Sequence, residues 1–441
     1  MLRRRIIKKE MLISIEPKEK RIAVIDEGRL EEFHVERASS KRIVGNIYKG
    51  KVSAIVPGIG AAFVDIGTSK NGFLYLDEKE GVEDIFTPQD ADSAEPATDD
   101  TGSNFSYRRE IVAPLAKGQE VLVQVGREEI GTKGPRLTRR ISIPGRYLVL
   151  VPSGRSIGVS KRIENPAERA RIRKILSSFR LPGDMGFIVR TEAEGMSRRD
   201  FARELRYLIN AWKNIVARAK TGSTPSLIYE EYDLVLRAAR DLVTRGIERV
   251  LIDSKEEFRR IYGFIRTFLP NLRRRVRLYK GRVPIFESFG IQKQIDAVFD
   301  RRVQLKSGGY LIIEPTEALV AIDVNTGQFI GKADSKKDPE ETAFITNREA
   351  AREISRQLRL KDLGGLIVMD FIDMKTNEHR KIVLNELKEG VVKDKAKIKI
   401  LNFSEFGLVE MTRQRVRRGL ESSLYQSCPR CKGRGLIKDE T

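Results

Sequence analysis

Two apolar runs in this sequence each end in a carboxylate. Ala318 to Ile322 leads into Asp323 and then Val324-Asn325-Thr326-Gly327, and Gly364 to Met369 leads into Asp370. Carboxylate and amide oxygens are the ligands a hard cation such as Mg2+ prefers. Mg2+ held this way stabilises charge at a phosphorus centre and activates water for phosphodiester hydrolysis. Both runs are apolar and β-branched enough to read as buried strands. Between them Glu341 to Leu360 has a helical pattern, with Pro339 just ahead of it. A strand–helix–strand connection returns the second strand end to the same edge of a sheet, so Asp323 and Asp370 are expected side by side. Asn325, two residues after Asp323, shares its face if the strand continues. Asp373, three after Asp370, faces away on the same assumption and is left out of the site. Glu317 enters only if the strand bends. The competing reading is that both aspartates simply cap strands, since an apolar run ending in Asp is common in α/β folds.

The rest of the composition narrows the chemistry. Among 441 residues, 83 Lys and Arg stand against 62 Asp and Glu, giving a net charge of +21. Such an excess suits a polyanion, most simply nucleic acid; the plainer alternative is a basic protein with no specific partner. Only His34 and His379 are histidines, which disfavours a mechanism built on a histidine pair and favours carboxylates with a metal. No apolar run is long enough to span a bilayer, and Arg3-Arg4-Arg5 lacks the apolar stretch of a secretory signal. With Cys428 and Cys431 as the only cysteines there is no disulfide framework, so a reducing cytoplasm is the expected compartment. The length implies two to four domains.

Several elements could position these groups. Met11 to Val35 alternates apolar and polar residues around an Asp26-Glu27-Gly28 turn and reads as a β-meander. Gly45 to Arg140 is a glycine-punctuated series of short strands similar to the OB-fold RNA-binding barrel. On such a barrel aromatics stack bases and basic residues track phosphates. Phe63, Phe73 and Lys133 are the candidates; core packing for the rings and a solvated position for the lysine are the alternatives. Within it, Asp77 to Asn104 is acidic and rich in Ser, Thr, Pro and Ala, a composition expected of a mobile insertion. Ile141 to Gly222 reads as an α+β unit. Ser197 and Asp200 form a capping box for a helix whose face carries Phe201, Leu205, Leu208, Trp212 and Ile215. Arg190-Thr191, at a strand end, can fork onto a phosphate or make an ordinary surface ion pair. Arg273, Arg274, Arg275 and Arg277 line an RNA channel or form a solvated edge.

Cys428-Pro429-Arg430-Cys431-Lys432-Gly433-Arg434-Gly435 has zinc-knuckle spacing. Structural zinc takes four ligands, and this chain offers two thiols. The arithmetic points to one Zn2+ shared across a symmetric interface by two chains. A redox dithiol is the rival reading.

Together these residues resemble the ribonuclease E/G family of bacterial endoribonucleases, from about Leu12 onward. The strongest carriers are Thr316 to Asn325, Arg356-Gln357-Leu358-Arg359-Leu360, Gly364 to Met374 and Cys428 to Gly435, with Gly186 to Thr191 and Asn46 to Lys51 adding to them. Asn325-Thr326-Gly327 and the absence of a long tail look like the short ribonuclease G form. The resemblance implies a multidomain α/β and α+β fold. A split RNase H-like domain (1–42 and 236–298) carries an inserted OB-fold β-barrel (43–140) and a 5′-phosphate sensor domain (141–235). A DNase I-like catalytic α/β domain (299–424) and a zinc link (425–441) follow. It also implies Mg2+-dependent cleavage of single-stranded, AU-rich RNA in rRNA and tRNA processing and mRNA decay, leaving 5′-phosphate and 3′-hydroxyl ends. In that reading Asp323 and Asp370 bind Mg2+, Asn325 assists, and Arg190, Thr191 and Lys397 sense a 5′-monophosphate. Phe63, Phe73 and Lys133 anchor RNA, and Cys428 and Cys431 join two chains into a homodimer through Zn2+. Lys397 stands where the family usually has an arginine, which keeps the charge but loses the bidentate fork. The alternative is a non-catalytic RNA-binding or ribosome-assembly protein with the same fold.

Overall fold

The structure, a computed structural model, describes residues 9–40, 42–76, 94–95, 115–129, 134–154, 157–183, 185–316, 318–327, 338–392, 394, 396–414, 425, 428–429 and 431. The chain divides into two compact units, one of Ile15–Lys20 and Glu36–Leu278, the other of Met1–Ser14, Arg21–Val35 and Tyr279–Thr441. The expected meander is present as strands Lys9–Ile15, Glu19–Asp26 and Arg29–Arg37, consecutive neighbours in one sheet. Its second turn takes left-handed backbone at Glu27 (φ 50°) and Gly28 (φ 82°), as a two-residue hairpin loop requires.

The 36–278 unit holds a closed five-stranded barrel, consistent with an OB-fold. Its strands are β1 (Ile47–Val56), β2 (Ala61–Asp65), β3 (Gly72–Tyr75), β4 (Glu120–Arg127) and β5 (Arg136–Thr138). They pair in the order β1-β2-β3-β5-β4, and β1 closes onto β4 with Ile47 opposite Gln124. The interior is filled by Val52, Ala62, Val64, Leu74, Val121, Val123, Val125 and Leu137. Side chains alternate in and out along a strand, so Phe63, Phe73 and Tyr75 fall on the outside. The glycine punctuation has a steric cause. A Cβ on Gly72 would stand 2.4 Å from Leu137, and one on Gly50 2.6 Å from Val64, closer than real carbon contacts allow. Of the acidic insertion expected at 77–104, only Ala94–Glu95 is described, as a short strand against Ile157–Ser160; the remainder lies outside the described residues.

In the same unit β6 (Leu148–Val151), β7 (Ile157–Ser160) and β8 (Gly186–Val189) form a sheet, β8 running antiparallel to β6 and parallel to β7. Helix α1 (Arg198–Thr221) begins with the expected Ser197/Asp200 capping box. Its buried face holds Phe201, Leu205, Leu208 and Ile215. Glu204 is buried on it too, a carboxylate that periodicity alone did not single out.

The other unit contains the sheet that carries the aspartates. Its order is Arg302–Gln304, β9 (Tyr310–Pro315), β10 (Leu319–Asn325), β11 (Gly365–Asp370), β12 (Leu408–Arg413) and Ile398–Phe403. Only β10 and β11 are parallel, joined by helix α2 (Pro339–Leu360). Pro339 occupies the first turn of α2, and the Asp338 carboxylate caps it by accepting from the Glu340 N–H at 3.1 Å, a position where proline's missing donor costs nothing. Helices α2 and α3 (Asn377–Val391) share one core with Val320, Ile322, Val324, Ile367 and Met369. The two runs were expected as buried strands, but only one face of each is buried. Ala321, Asp323, Leu366 and Asp370 point to the exposed face, because the helices pack on one side.

Candidate active site and nucleic-acid face

Parallel pairing puts Asp323 directly opposite Asp370 at the carboxyl ends of β10 and β11, the edge where ligands of open α/β sheets bind. Both are exposed. Asn325 lies on the same face, as its spacing required, and its Nδ2 donates to Asp323 Oδ2 at 2.8 Å. Partial burial, then the negative charges of Asp323 and Asp373, push the Asp370 carboxyl above its ordinary value. Accumulated negative charge on hard oxygen donors fits a divalent cation such as Mg2+. The charge of Asp373 thus bears on Asp370, although the spacing led to the expectation that Asp373 faces away. That expectation assumed a continuing strand, but β11 stops at Asp370 and the chain leaves the sheet in a turn. Glu317 lies outside the described residues.

The segment after Asp370 is held from α2. Asn347, fully buried, grips the main chain of Ile372 twice. Its Nδ2 donates to the Ile372 carbonyl at 2.7 Å, and its Oδ1 accepts from the Ile372 N–H at 3.1 Å. Glu340, in the first turn of α2, accepts from the N–H groups of Lys375 at 2.9 Å and Thr376 at 3.3 Å. The His379 ring meets Glu340 at 2.9 Å and stacks on Phe344 with centroids 4.0 Å apart. The Lys375 amide, then His379 and Thr376, hold the Glu340 carboxyl down at about 2. Sequence reasoning passed over Asn347, although a polar residue on the apolar stripe of Ala343, Ala350, Ala351 and Ile354 was a legible signal.

On the barrel, Phe63 and Phe73 are half-buried cross-strand partners, their rings edge-to-face at 5.7 Å and 77°. They are not interior core. Lys133 lies outside the described residues. Two further residues share this face, Tyr75 and Arg136. Tyr75 was readable as two positions beyond Phe73; Arg136 was not, because the β3–β5 register is non-local.

Arg190, buried at the end of β8, donates from Nη1 to the Gly145 carbonyl at 2.7 Å and to Asp241 Oδ1 at 3.0 Å. It makes an ion pair, but an interior one. Thr191 lines a cleft of about 260 Å³ with Arg146, Tyr147, Arg245 and Asn271, and its hydroxyl lies 3.4 Å from Ser160 Oγ. The loop framing this cleft hangs on Glu204, which accepts from the backbone N–H groups of Arg146, Tyr147 and Leu148. Burial pushes the Glu204 carboxyl up to about 7 against those donors. Lys397 belongs to the other unit, exposed just before Ile398–Phe403, and its carbonyl accepts from the Gln414 N–H at 3.0 Å. Of the basic cluster, Arg275 turns inward onto the carbonyls of Arg245 and Ile247, whereas Arg273, Arg274 and Arg277 are exposed. Cys428 is exposed and Cys431 half-buried, both as thiols.

Comparison with known proteins bears directly on this arrangement. The sequence profile described as the Ribonuclease E/G family matches residues 142–416. The chain is 41% identical to Ribonuclease G of Escherichia coli (strain K12) over 429 residues, 97% of this chain and 84% of that protein. Ribonuclease G of Haemophilus influenzae is 42% identical over the same shares of each chain. Ribonuclease E of that organism is 42% identical over 433 residues, 98% of this chain but 44% of its own length. The matched stretch spans both strand-end aspartates and the helix that joins their strands, and the chain belongs to the ribonuclease E/G family.

Proposed function

We propose that this protein is a Mg2+-dependent endoribonuclease that cleaves single-stranded, AU-rich RNA and leaves 5′-phosphate and 3′-hydroxyl ends. The observation that carries the reading is the in-register pair Asp323 and Asp370 with Asn325 hydrogen-bonded beside it. Asp323 and Asp370 hold the cation through their carboxylates. Mg2+ bound there supplies charge stabilisation at the scissile phosphate and an activated water. Asn325 fixes the Asp323 carboxylate in one orientation, and Asn347 and Glu340 fix the turn that follows Asp370. Phe63 and Phe73, with Lys133, anchor the strand on the barrel by stacking and charge. Arg190 and Thr191 answer to a 5′-monophosphate, a role that the family resemblance also gives to Lys397. For Arg190 the interior pairing with Asp241 argues that it orders the pocket wall as well as contributing charge. Cys428 and Cys431 supply half of a Zn2+ site that a second chain completes. The setting is cytoplasmic rRNA and tRNA processing and mRNA decay; among the described residues no helix is long and apolar enough to cross a membrane.

The test is cleavage of a 5′-labelled, AU-rich oligonucleotide. Cleavage that requires Mg2+ and is lost in Asp323→Asn and Asp370→Asn, with RNA affinity retained, supports the assignment. A wild-type protein inert with Mg2+, or an Asp323→Asn variant of unchanged rate, overturns it. Equal rates on 5′-monophosphate and 5′-hydroxyl substrates would remove Arg190, Thr191 and Lys397 from the site.

A further inference from the structure

The outer face of the barrel carries more than the two phenylalanines. Register places Phe63 opposite Phe73 across β2–β3, and Phe73 opposite Arg136 across β3–β5. One row therefore crosses three adjacent strands. Tyr75, two positions beyond Phe73, stands on the same face. Its ring meets that of Phe73 edge-to-face, with centroids 4.8 Å apart and planes at 85°. The Arg136 guanidinium lies over the Tyr75 ring, its Cζ 4.7 Å from the centroid. The barrel interior is filled from the opposite side of these strands by Leu74, Val64 and Leu137, so none of the three rings is needed there. Tyr75 remains 37% exposed.

This geometry favours a nucleobase. Edge-to-face contact with Phe73 fixes the orientation of the Tyr75 ring, so little freedom is lost when a base stacks on it. A guanidinium placed over an aromatic ring adds a second planar, cationic group beside it, and Arg planes stack bases as aromatic rings do. The chain's charge of +21 favours a phosphate-bearing strand over a neutral or basic partner.

We propose that Tyr75 and Arg136 form an additional stacking subsite for one base of single-stranded RNA, adjoining Phe63 and Phe73 and lengthening the stretch of strand that the barrel grips. The subsite rests on the ribonuclease reading above, and its test separates the two. Full-length protein carrying Asp323→Asn is titrated, without Mg2+, into fluorescein-labelled oligo(U) and oligo(A) of increasing length, with anisotropy as the readout. Base–aromatic stacking is worth about 1–3 kcal/mol per base, so Tyr75→Ala is expected to weaken binding by about 5- to 150-fold. The loss should be confined to oligonucleotides long enough to reach beyond Phe63 and Phe73. Tyr75→Phe, which keeps the ring, should bind as the parent does. Arg136→Lys keeps the charge and the salt dependence but loses the plane, and is expected to lose affinity in the same long oligonucleotides. Arg136→Lys decides the matter even where Tyr75→Ala fails to fold. If Tyr75→Ala or Arg136→Lys matches the parent at every length while Phe63→Ala and Phe73→Ala weaken binding, the subsite is wrong and the barrel reading stands. If the phenylalanine variants also bind normally, the barrel reading itself falls.

Discussion

Replacing Asn347 by alanine should cripple cleavage without weakening RNA binding. Its side chain is fully buried and makes two hydrogen bonds to one residue, Ile372, two positions beyond Asp370. Alanine leaves both the N–H and the carbonyl of Ile372 without that partner inside the protein. An unsatisfied buried group costs about 1–3 kcal/mol. Water entering the vacated space recovers part of that, so a net loss of about 2–4 kcal/mol is expected in the stability of this segment. The turn is not released outright, because Glu340 still holds the N–H groups of Lys375 and Thr376. The outcome is displacement of Asp370 and Asp373 rather than unfolding. A displacement of roughly 1 Å in a catalytic group can lower turnover about 100-fold, so kcat should fall 10- to 100-fold, on the order of that limit. The dissociation constant for an uncleavable oligonucleotide should stay within about twofold, since binding draws on stacking and charge elsewhere. Asn347→Asp keeps the acceptor for the Ile372 N–H but sets a carboxylate against the carbonyl, and should be no better than alanine. Hydrogen exchange at residues 371–376 reads the local loss; a single unfolding midpoint would not, because two compact units need not unfold as one. Single-turnover cleavage reads the rate. An alanine variant that cleaves at the parental rate, or one whose loss lies wholly in affinity, refutes the reasoning.

Other outcomes follow from the same charges. Partial burial and like charge from Asp323 and Asp373 act on Asp370, so Asp370→Asn should slow hydrogen exchange around residues 370–376 at neutral pH while abolishing cleavage. Mg2+ should stabilise the parent and not this variant; equal stabilisation of both would place the cation elsewhere. The Glu340 carboxyl is held down at about 2. A depressed folded value means its contribution is present above the unfolded value, near 4.5, and is lost as pH falls toward 2. Amide protection at Lys375 and Thr376 should fade over that interval in the parent, whereas in Glu340→Gln, whose single amide oxygen can keep only one of the two bonds, it should be weaker and independent of pH. Glu204→Gln sets an amide N–H against one of three backbone donors, and is expected to cost about 2–4 kcal/mol from the lost and unsatisfied bonds, seen as faster exchange at 146–148. Purified protein should contain one zinc per two chains, lost together with the dimer in Cys428→Ser; one zinc per chain would contradict the shared site.

The sequence alone was enough for those features whose cause is local. Apolar runs ending in Asp323 and Asp370, separated by a helix with Pro339 in its first turn, forced the two carboxylates onto one strand edge, and the parallel register delivers them opposite each other. The Ser197/Asp200 capping box and the two-residue spacing of Asn325 held for the same reason: each depends on neighbours a few residues away. Tertiary structure decided what depends on distant segments. Helices cover only one face of the aspartate sheet, so strands that looked buried on both sides carry exposed residues on the other. The segment after β11, whose Asp373 charge bears on Asp370, is held by Asn347 and Glu340 from α2, contacts that no local pattern encodes. Arg190 looked like a surface cation at a strand end, but Gly145 and Asp241, 45 and 51 residues away in sequence, draw it inside. The Tyr75–Arg136 contact joins strands about 60 residues apart, a register that no local periodicity encodes.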